Sequence, residues 1–298
     1  RERQGPGHAL VSSAGSGGGD EDREVPEPLD RDVPVPGGGV LRVREWPGSG
    51  PPLLLIHGFL GSRTSWGCLP RGLGSLHTVA VDLPGHGDSS GVASPEEVSV
   101  PRVAGLLAEL QDRVFRRPAA WLGYSMGGRI ALAAAVQGYP MSRLLLESAG
   151  PGLATEAERM ARRRVDRERA AALMGHGIEA FIDEWLAMPL FEGVVRLPLD
   201  ELAAAREERL ARDPRSMAAW LLGGGAGSQP DYRPMLPRVG IPVHLLAGEQ
   251  DPKYVGLAEE MAQRLPLSAV TVAPGAGHVV HLESPDAWVA WVRGALGS

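Results

Sequence analysis

Three turns of this 298-residue chain each carry one member of a possible proton relay, in the order Ser125, Asp251, His278. Ser125 lies in "GYSMGGR", Asp251 ends "LLAGEQD" and His278 closes "TVAPGAGH". A serine hydroxyl is inert until a histidine takes its proton, and that histidine needs a carboxylate to fix its tautomer. Gly-x-Ser-x-Gly carries this meaning when a buried strand runs into a sharp turn and then a helix. "AAWLGYSMGGRIALAAA" reads that way, with Gly123 and Gly127 relieving the crowding of the turn. Such a turn holds Ser125 at a helix N-terminus, where the N–H of Met126 faces any developing oxyanion. A packing turn of small residues would give the same pattern without the chemistry.

A second donor is expected from "LLLIHGFLGS", whose turn presents the N–H of Phe59 opposite that of Met126. Gly58 and Gly61 would also suit a plain turn. The other histidines have poorer settings. His57 is expected to shape its loop rather than to transfer protons, and His86 in "DLPGHGDSS" and His281 beyond the last loop are read as structural. Cys68 has no partner base and is expected to be a small buried filler.

These residues need a frame that brings their turns together. The runs "PLLLIHG", "TVAVDLPG", "AAWLGYS", "RLLLES", "PVHLLAGEQD" and "AVTVAPGAGH" are continuous and apolar, as strands buried on both faces are. Helical patterns separate them from "VLRVREW" onward, so the class is α/β with a mainly parallel sheet flanked by helices. Open sheets of this kind bind ligands beyond the carboxyl ends of their strands, which is where the polar motifs fall. Between "RLLLES" and "PVHLLAGEQD", residues 152–235 hold "EAERMARRRVDRERAAAL", "IEAFIDEWLAM" and "LDELAAAREERLARD". An insert so long and so helical is more than a connection, and we read it as a helical cap over the site.

Residues 1–36 are rich in Gly, Ser, Pro and acid without apolar periodicity, and are expected to be a disordered tail or linker before a domain at 37–298. The chain does not start with methionine, as a piece of a longer polypeptide would not. Its composition, 43% hydrophobic and 22% charged with formal net charge −6, is that of a soluble protein without general attraction to nucleic acid or anionic membrane. One cysteine excludes an intramolecular disulfide, and no His/Cys spacing suggests zinc. No apolar run is long enough to span a bilayer and no signal peptide is evident, so a cytoplasmic protein is expected.

In order and spacing, "HGFLGS", "DLPGHGDSS", "GYSMGGR", "GEQDPKY" and "GAGHVVHLESP" resemble the α/β-hydrolase superfamily over residues 37–298. Within it, "GYSMGGR", "ESAGPGL" with "ERMARRRVDRERA", "FIDEWLAMPLF", "REERL" and "GSQPDYRPML" resemble the SHCHC synthases of menaquinone biosynthesis. Those enzymes eliminate pyruvate from an enolpyruvyl cyclohexene carboxylate that bears a succinyl group, without a cofactor or metal. The resemblance implies carboxylate-binding roles for Arg129, Arg162 and Arg209, and pocket-lining roles for Tyr124 and Trp185. Guanidinium forks suit such a polycarboxylate substrate. Counting back from "GSQP" selects Arg209, whereas counting forward from "MPLF" selects Arg206. Read without the resemblance, "ERMARRRVDRER" is a solvated helix face of i,i+4 ion pairs, and Trp185 is cap core.

The resemblance also changes the part expected of Ser125. Assisted by His278 and Asp251, it would act as the general base for the C–H beside the succinyl ketone, with Phe59 and Met126 holding the enolate oxygen. Two other functions use the same residues differently. A serine hydrolase of esters or carbon–carbon bonds would form a covalent intermediate, and a binding protein would keep the fold without its chemistry. The intact triad speaks against the latter, and the arginines against the former.

Overall fold

The computed structural model describes residues 27–36, 39–194 and 197–297. Its centre is an eight-stranded sheet in the order β1-β2-β4-β3-β5-β6-β7-β8. The strands are β1 (Leu29–Pro34), β2 (Val40–Trp46), β3 (Pro52–Ile56), β4 (His77–Val81), β5 (Ala120–Tyr124), β6 (Arg143–Glu147), β7 (Val243–Gly248) and β8 (Ser268–Ala273). The pairs β1/β2 and β2/β4 are antiparallel, and all others are parallel.

The sheet is buried on both faces because its central strands are apolar along most of their length. Along β3, Leu54 and Ile56 enter one core cluster while Leu53 and Leu55 enter the other, the period-two alternation of a strand. Each such side chain contributes about 1.5–3 kcal/mol on leaving water. Helices cover the two faces. They are α1 (Val100–Val114), α2 (Met126–Val136), α7 (Pro252–Ala262), the short α8 (Val280–Glu283) and α9 (Pro285–Leu296).

Between β6 and β7 the chain forms α3 (Glu156–His176), α4 (Ile178–Leu186), α5 (Leu199–Leu210) and α6 (Pro214–Gly223), within the stretch expected as a cap. A capping box starts α3, with Thr155 accepting from Glu158 N and Glu158 from Thr155 N. Chain order turns around between β3 and β5, since β4 lies on one side of β3 and β5 on the other. That switch point opens a crevice beyond the strand ends, and the turns carrying Phe59 and Ser125 flank it.

Two expectations change. Residues 1–26 of the proposed tail lie outside the described residues, but Leu29–Pro34 form the edge strand β1, whose Asp30 and Asp32 pair with Arg44 and Arg42 of β2. Cross-strand ion pairing replaces the missing apolar periodicity there. β8, read as buried on both faces, is a mostly exposed strand that ends the sheet among the described residues. Among the described residues no helix is long and apolar enough to cross a membrane.

Candidate active site

Ser125 sits between β5 and α2 with a φ of 50°, a left-handed backbone that a serine adopts only when its surroundings enforce it. The enforcement is local. A Cβ at Gly127 would collide with the carbonyl oxygen of Ile56, and one at Gly123 with the backbone of Gly127. Only glycines let α2 approach β3 and β5 this closely. Ser125 N donates to Glu147 O (2.9 Å), which ties the turn to the end of β6.

The three turns expected to meet do so. His278 Nε2 lies 3.1 Å from Ser125 Oγ, and His278 Nδ1 lies 2.7 Å from Asp251 Oδ2. With Nδ1–H donating to the carboxylate, Nε2 is left to accept the serine proton. His278 and Asp251 are buried, so water competes little for either bond. Tyr254 packs its ring 4.6 Å from the His278 ring, and burial pushes its phenol upward.

The two N–H groups expected to face an oxyanion, of Phe59 and Met126, are oriented by identifiable neighbours. Gly58 O accepts from His57 Nδ1 (2.7 Å) and Gly61 N (3.1 Å). The trans peptide therefore turns the Phe59 N–H the opposite way, and no acceptor among the described residues takes it. Met126 N opens α2, where a backbone N–H has no intrahelical acceptor. His57 Nε2 accepts from Leu83 N (3.0 Å), which fixes it as a neutral ring, and burial lowers its pKa to about 4. Its expected role of shaping the loop is thus visible as hydrogen bonds.

A cavity of about 540 Å³ lies over Ser125. Phe59, Tyr124, Trp185 and Phe191 form much of its apolar wall, with Phe59 and Trp185 rings 5.0 Å apart. Among the described residues Arg209 is the only Arg or Lys in the lining. Arg209 donates to Ala205 O (2.9 Å), and burial lowers the pKa of its guanidinium. Arg206 instead pairs with Glu179 and Asp183 of α4. The ambiguity left by the sequence is therefore one of place, and Arg209 is the residue at the cavity.

Arg129 and Arg162 differ from the expected picture, since neither lines this cavity. Arg129 donates to Gly224 O (2.9 Å) and Gln229 Oε1 (3.0 Å), and Arg162 to Asp166 Oδ1 (2.8 Å). Burial lowers Arg129 to about 10, with Arg162 nearby adding repulsion and Tyr254 and Asp166 opposing it. Asp166 Oδ2, Gln229 Nε2 and Tyr232 OH are buried without hydrogen-bond partners. Arg129 on α2 and Arg162 on α3, the latter paired with Asp166, thus lie near each other and near the Tyr254 that packs on His278.

Sequence reading missed Arg169, Glu208 and Arg212 near the cavity, and it misplaced Cys68. Arg169 lies 5.4 Å over the Trp185 ring, a cation–π contact that no motif marks. Glu208 contacts Ser62 Oγ closely and accepts from Arg212 Nη2 (2.7 Å), while Arg212 Nε reaches Leu60 O (3.4 Å). Cys68, expected to be buried, is exposed and lines the cavity, because the short helical turn that follows it carries Pro70 and Leu73 inward instead. His86 is held away from the cavity lining, whereas His281 both lines the cavity and is tied to Glu147. His86 Nε2 accepts from Leu60 N (3.3 Å), and His281 Nδ1 lies 2.8 Å from the buried Glu147.

Comparison with known proteins agrees with this geometry. The model of the Alpha/beta hydrolase family matches residues 53–291. A provisionally named 2-succinyl-6-hydroxy-2,4-cyclohexadiene-1-carboxylate synthase of Bacillus subtilis (strain 168) is 36% identical, covering 81% of this chain and 88% of its own. The 2-succinyl-6-hydroxy-2,4-cyclohexadiene-1-carboxylate synthase of Serratia proteamaculans (strain 568) is 33% identical, covering 83% and 93%. Among solved structures, MenH from S. aureus superposes with a TM-score of 0.81 at 33% identity, over 86% of this chain and 97% of that one. A thermophilic esterase from Thermogutta terrifontis superposes at 0.76 with 26% identity, over 90% and 99%. The chain belongs to the α/β hydrolase family and, within it, to the 2-succinyl-6-hydroxy-2,4-cyclohexadiene-1-carboxylate synthases.

Proposed function

We infer that the protein is a carbon–oxygen lyase of quinone biosynthesis. It eliminates pyruvate from 2-succinyl-5-enolpyruvyl-6-hydroxy-3-cyclohexene-1-carboxylate to give 2-succinyl-6-hydroxy-2,4-cyclohexadiene-1-carboxylate. One observation carries the reading: an intact Ser125–His278–Asp251 relay opens on a cavity whose lining cation is an arginine without a carboxylate partner among the described residues. The names of the relatives support it.

In the proposed mechanism Ser125, giving its own proton to His278 Nε2, removes the proton beside the succinyl ketone. Asp251 stabilises the imidazolium so formed. The negative charge moves to the ketone oxygen, where the N–H groups of Phe59 and Met126 receive it. Collapse of the enolate forms the second ring double bond and breaks the bond from ring carbon to enolpyruvyl oxygen. The leaving enolpyruvate takes up a proton and becomes pyruvate. No bond to the enzyme forms, so hydrolytic machinery serves an elimination.

Arg209 is proposed to hold a substrate carboxylate from the cavity, with Tyr124 and Trp185 as walls. Arg129 and Arg162 are proposed to form a second positive centre. The cytoplasm is the proposed setting. Pyruvate release from substrate made in situ, read by coupled lactate dehydrogenase, tests the reading. Against a Ser125→Ala control, wild-type release should be faster by about 10²-fold or more. Equal release by both proteins sinks the lyase reading, and hydrolysis of simple esters would then return Ser125 to the role of nucleophile.

A further inference from the structure

His278 works only if its ring stands between Asp251 and Ser125, yet it lies on a turn joining the exposed strand β8 to the short helix α8. The turn is buried, and Tyr254 and Tyr124 pack against the ring, but ring packing does not by itself fix the backbone from which the side chain leaves. The residues on either side of His278 are nevertheless held by one group. Glu283 Oε2 accepts from Gly277 N (2.7 Å), and Glu283 Oε1 accepts from Val279 N (3.0 Å). Glu283 closes α8, its own N–H donating to Val279 O (2.9 Å), so its carboxylate reaches back across the start of that helix.

We propose that Glu283 is a positioning residue for the reaction: its carboxylate grips the two peptide groups flanking His278 and thereby sets the imidazole on the line from Asp251 to Ser125. Both bonds are charge-assisted, and together they fix the peptide planes from which the His278 side chain leaves. The seat is closely built. A Cβ at Gly277 would come within 2.9 Å of Glu283 Oε2, and one at Gly193 in the cap would overlap the same oxygen. The two glycines let the turn from one side and the cap from the other close on the carboxylate. The neighbouring turn is tied in as well, because Gln250 N, next to Asp251, donates to Ala276 O (2.8 Å). His278 and Asp251 are therefore registered to each other by backbone bonds as well as by their own.

A plain helix cap would use the same bonds for stability alone, so the test must read the relay. The inference rests on the reading of Ser125, His278 and Asp251 as that relay. In Glu283→Gln one of the two N–H groups faces an amide donor instead of an acceptor, and the grip is halved. Two rates are measured on this variant, at a temperature where it is folded by its melting curve: pyruvate release and labelling of Ser125 by a fluorophosphonate. Misplaced catalytic groups lose on the order of 10–100-fold, so kcat and the labelling rate should both fall by that factor with KM within about twofold. Both rates within about twofold of wild type would overturn the proposal, whatever the melting temperature does.

If Glu283→Gln does not fold, Glu283→Asp serves, since the shorter carboxylate reaches one N–H. The low-field proton resonance of His278 Nδ1, identified by its loss in His278→Ala, should then shift or broaden. An unchanged resonance would overturn the proposal. Labelling needs no substrate, so a wild-type protein that labels but releases no pyruvate would remove the functional reading and leave the test of Glu283 intact.

Discussion

Arg206 and Arg209 lie three positions apart on α5, yet Arg206 is paired to Glu179 and Asp183 while Arg209 meets the cavity without a carboxylate partner among the described residues. A half-buried guanidinium with open donors is prepared for an anion, and one already paired on a solvated surface is not.

Arg209→Ala should therefore lower kcat/KM for pyruvate elimination by about 10²-fold, the loss expected when a charged group goes unpaired in a closed site. Arg206→Ala should leave kcat/KM within about threefold and change the melting temperature little, because its ion pairs with Glu179 and Asp183 are solvent-exposed. Steady-state kinetics on the two variants checks this, and the reverse order of effects would move the anion site to the α4 side of the cap.

His57 couples the loop holding Phe59 to pH. Burial lowers its pKa from 6.5 to about 4, so the unfolded chain binds the proton more readily than the native protein between those values. Stability from the neutral ring is thus complete above pH 6.5 and is lost as pH falls toward 4, by roughly 3 kcal/mol for this one group. His86, also buried and lowered well below 6.5, adds in the same direction. Melting temperature should drop across that window and drop less steeply in His57→Gln, whose amide still donates toward Gly58 O. Equal slopes in the two proteins would remove His57 from the acid sensitivity.

The meeting of Ser125, Asp251 and His278 was legible in the sequence because glycine-marked turns at the ends of apolar runs are local signals, as in "AAWLGYSMGGR" and "TVAPGAGH". The strand β1 was not legible, since ion pairs of Asp30 and Asp32 with β2 substitute for an apolar face, and a partner strand cannot be read from one segment. Arginine placement was not legible either. Arg129 has two acceptors, Gly224 O and Gln229 Oε1, that lie about a hundred residues away in the cap, and no periodicity on α2 announces them. Cys68 misled because small apolar character argues for burial, whereas exposure was decided by the direction of a short turn.

Cys68 gives a chemical probe of the cavity mouth. It is the only cysteine, it is exposed, and it belongs to the lining that includes Ser125 and Trp185. One thiol should titrate in the native protein, and a bulky maleimide there should slow pyruvate release by about tenfold through steric occlusion, with the substrate protecting. Cys68→Ser should keep its activity and become insensitive to the reagent. Full activity after complete modification would place substrate entry elsewhere.

Cap and oxyanion loop are joined through Arg212, which is buried, donates to Glu208 on α5 and reaches Leu60 O beside the proposed donor Phe59. Leu60 itself has a φ of 66°, a conformation that leucine holds only under constraint, with His86 taking its N–H and Arg212 its carbonyl. Arg212→Lys preserves the charge facing Glu208 but gives up the fork that serves two acceptors at once. Its melting temperature should stay close to wild type while kcat falls by about three- to tenfold with KM little changed, because the lost bond aims a donor used chiefly in the transition state. Arg212→Ala, which strands Glu208 and Leu60 O together, should lose kcat and stability alike, by about 1–3 kcal/mol for the latter. A lysine variant with unaltered kcat would show that the loop keeps Phe59 in place without help from the cap.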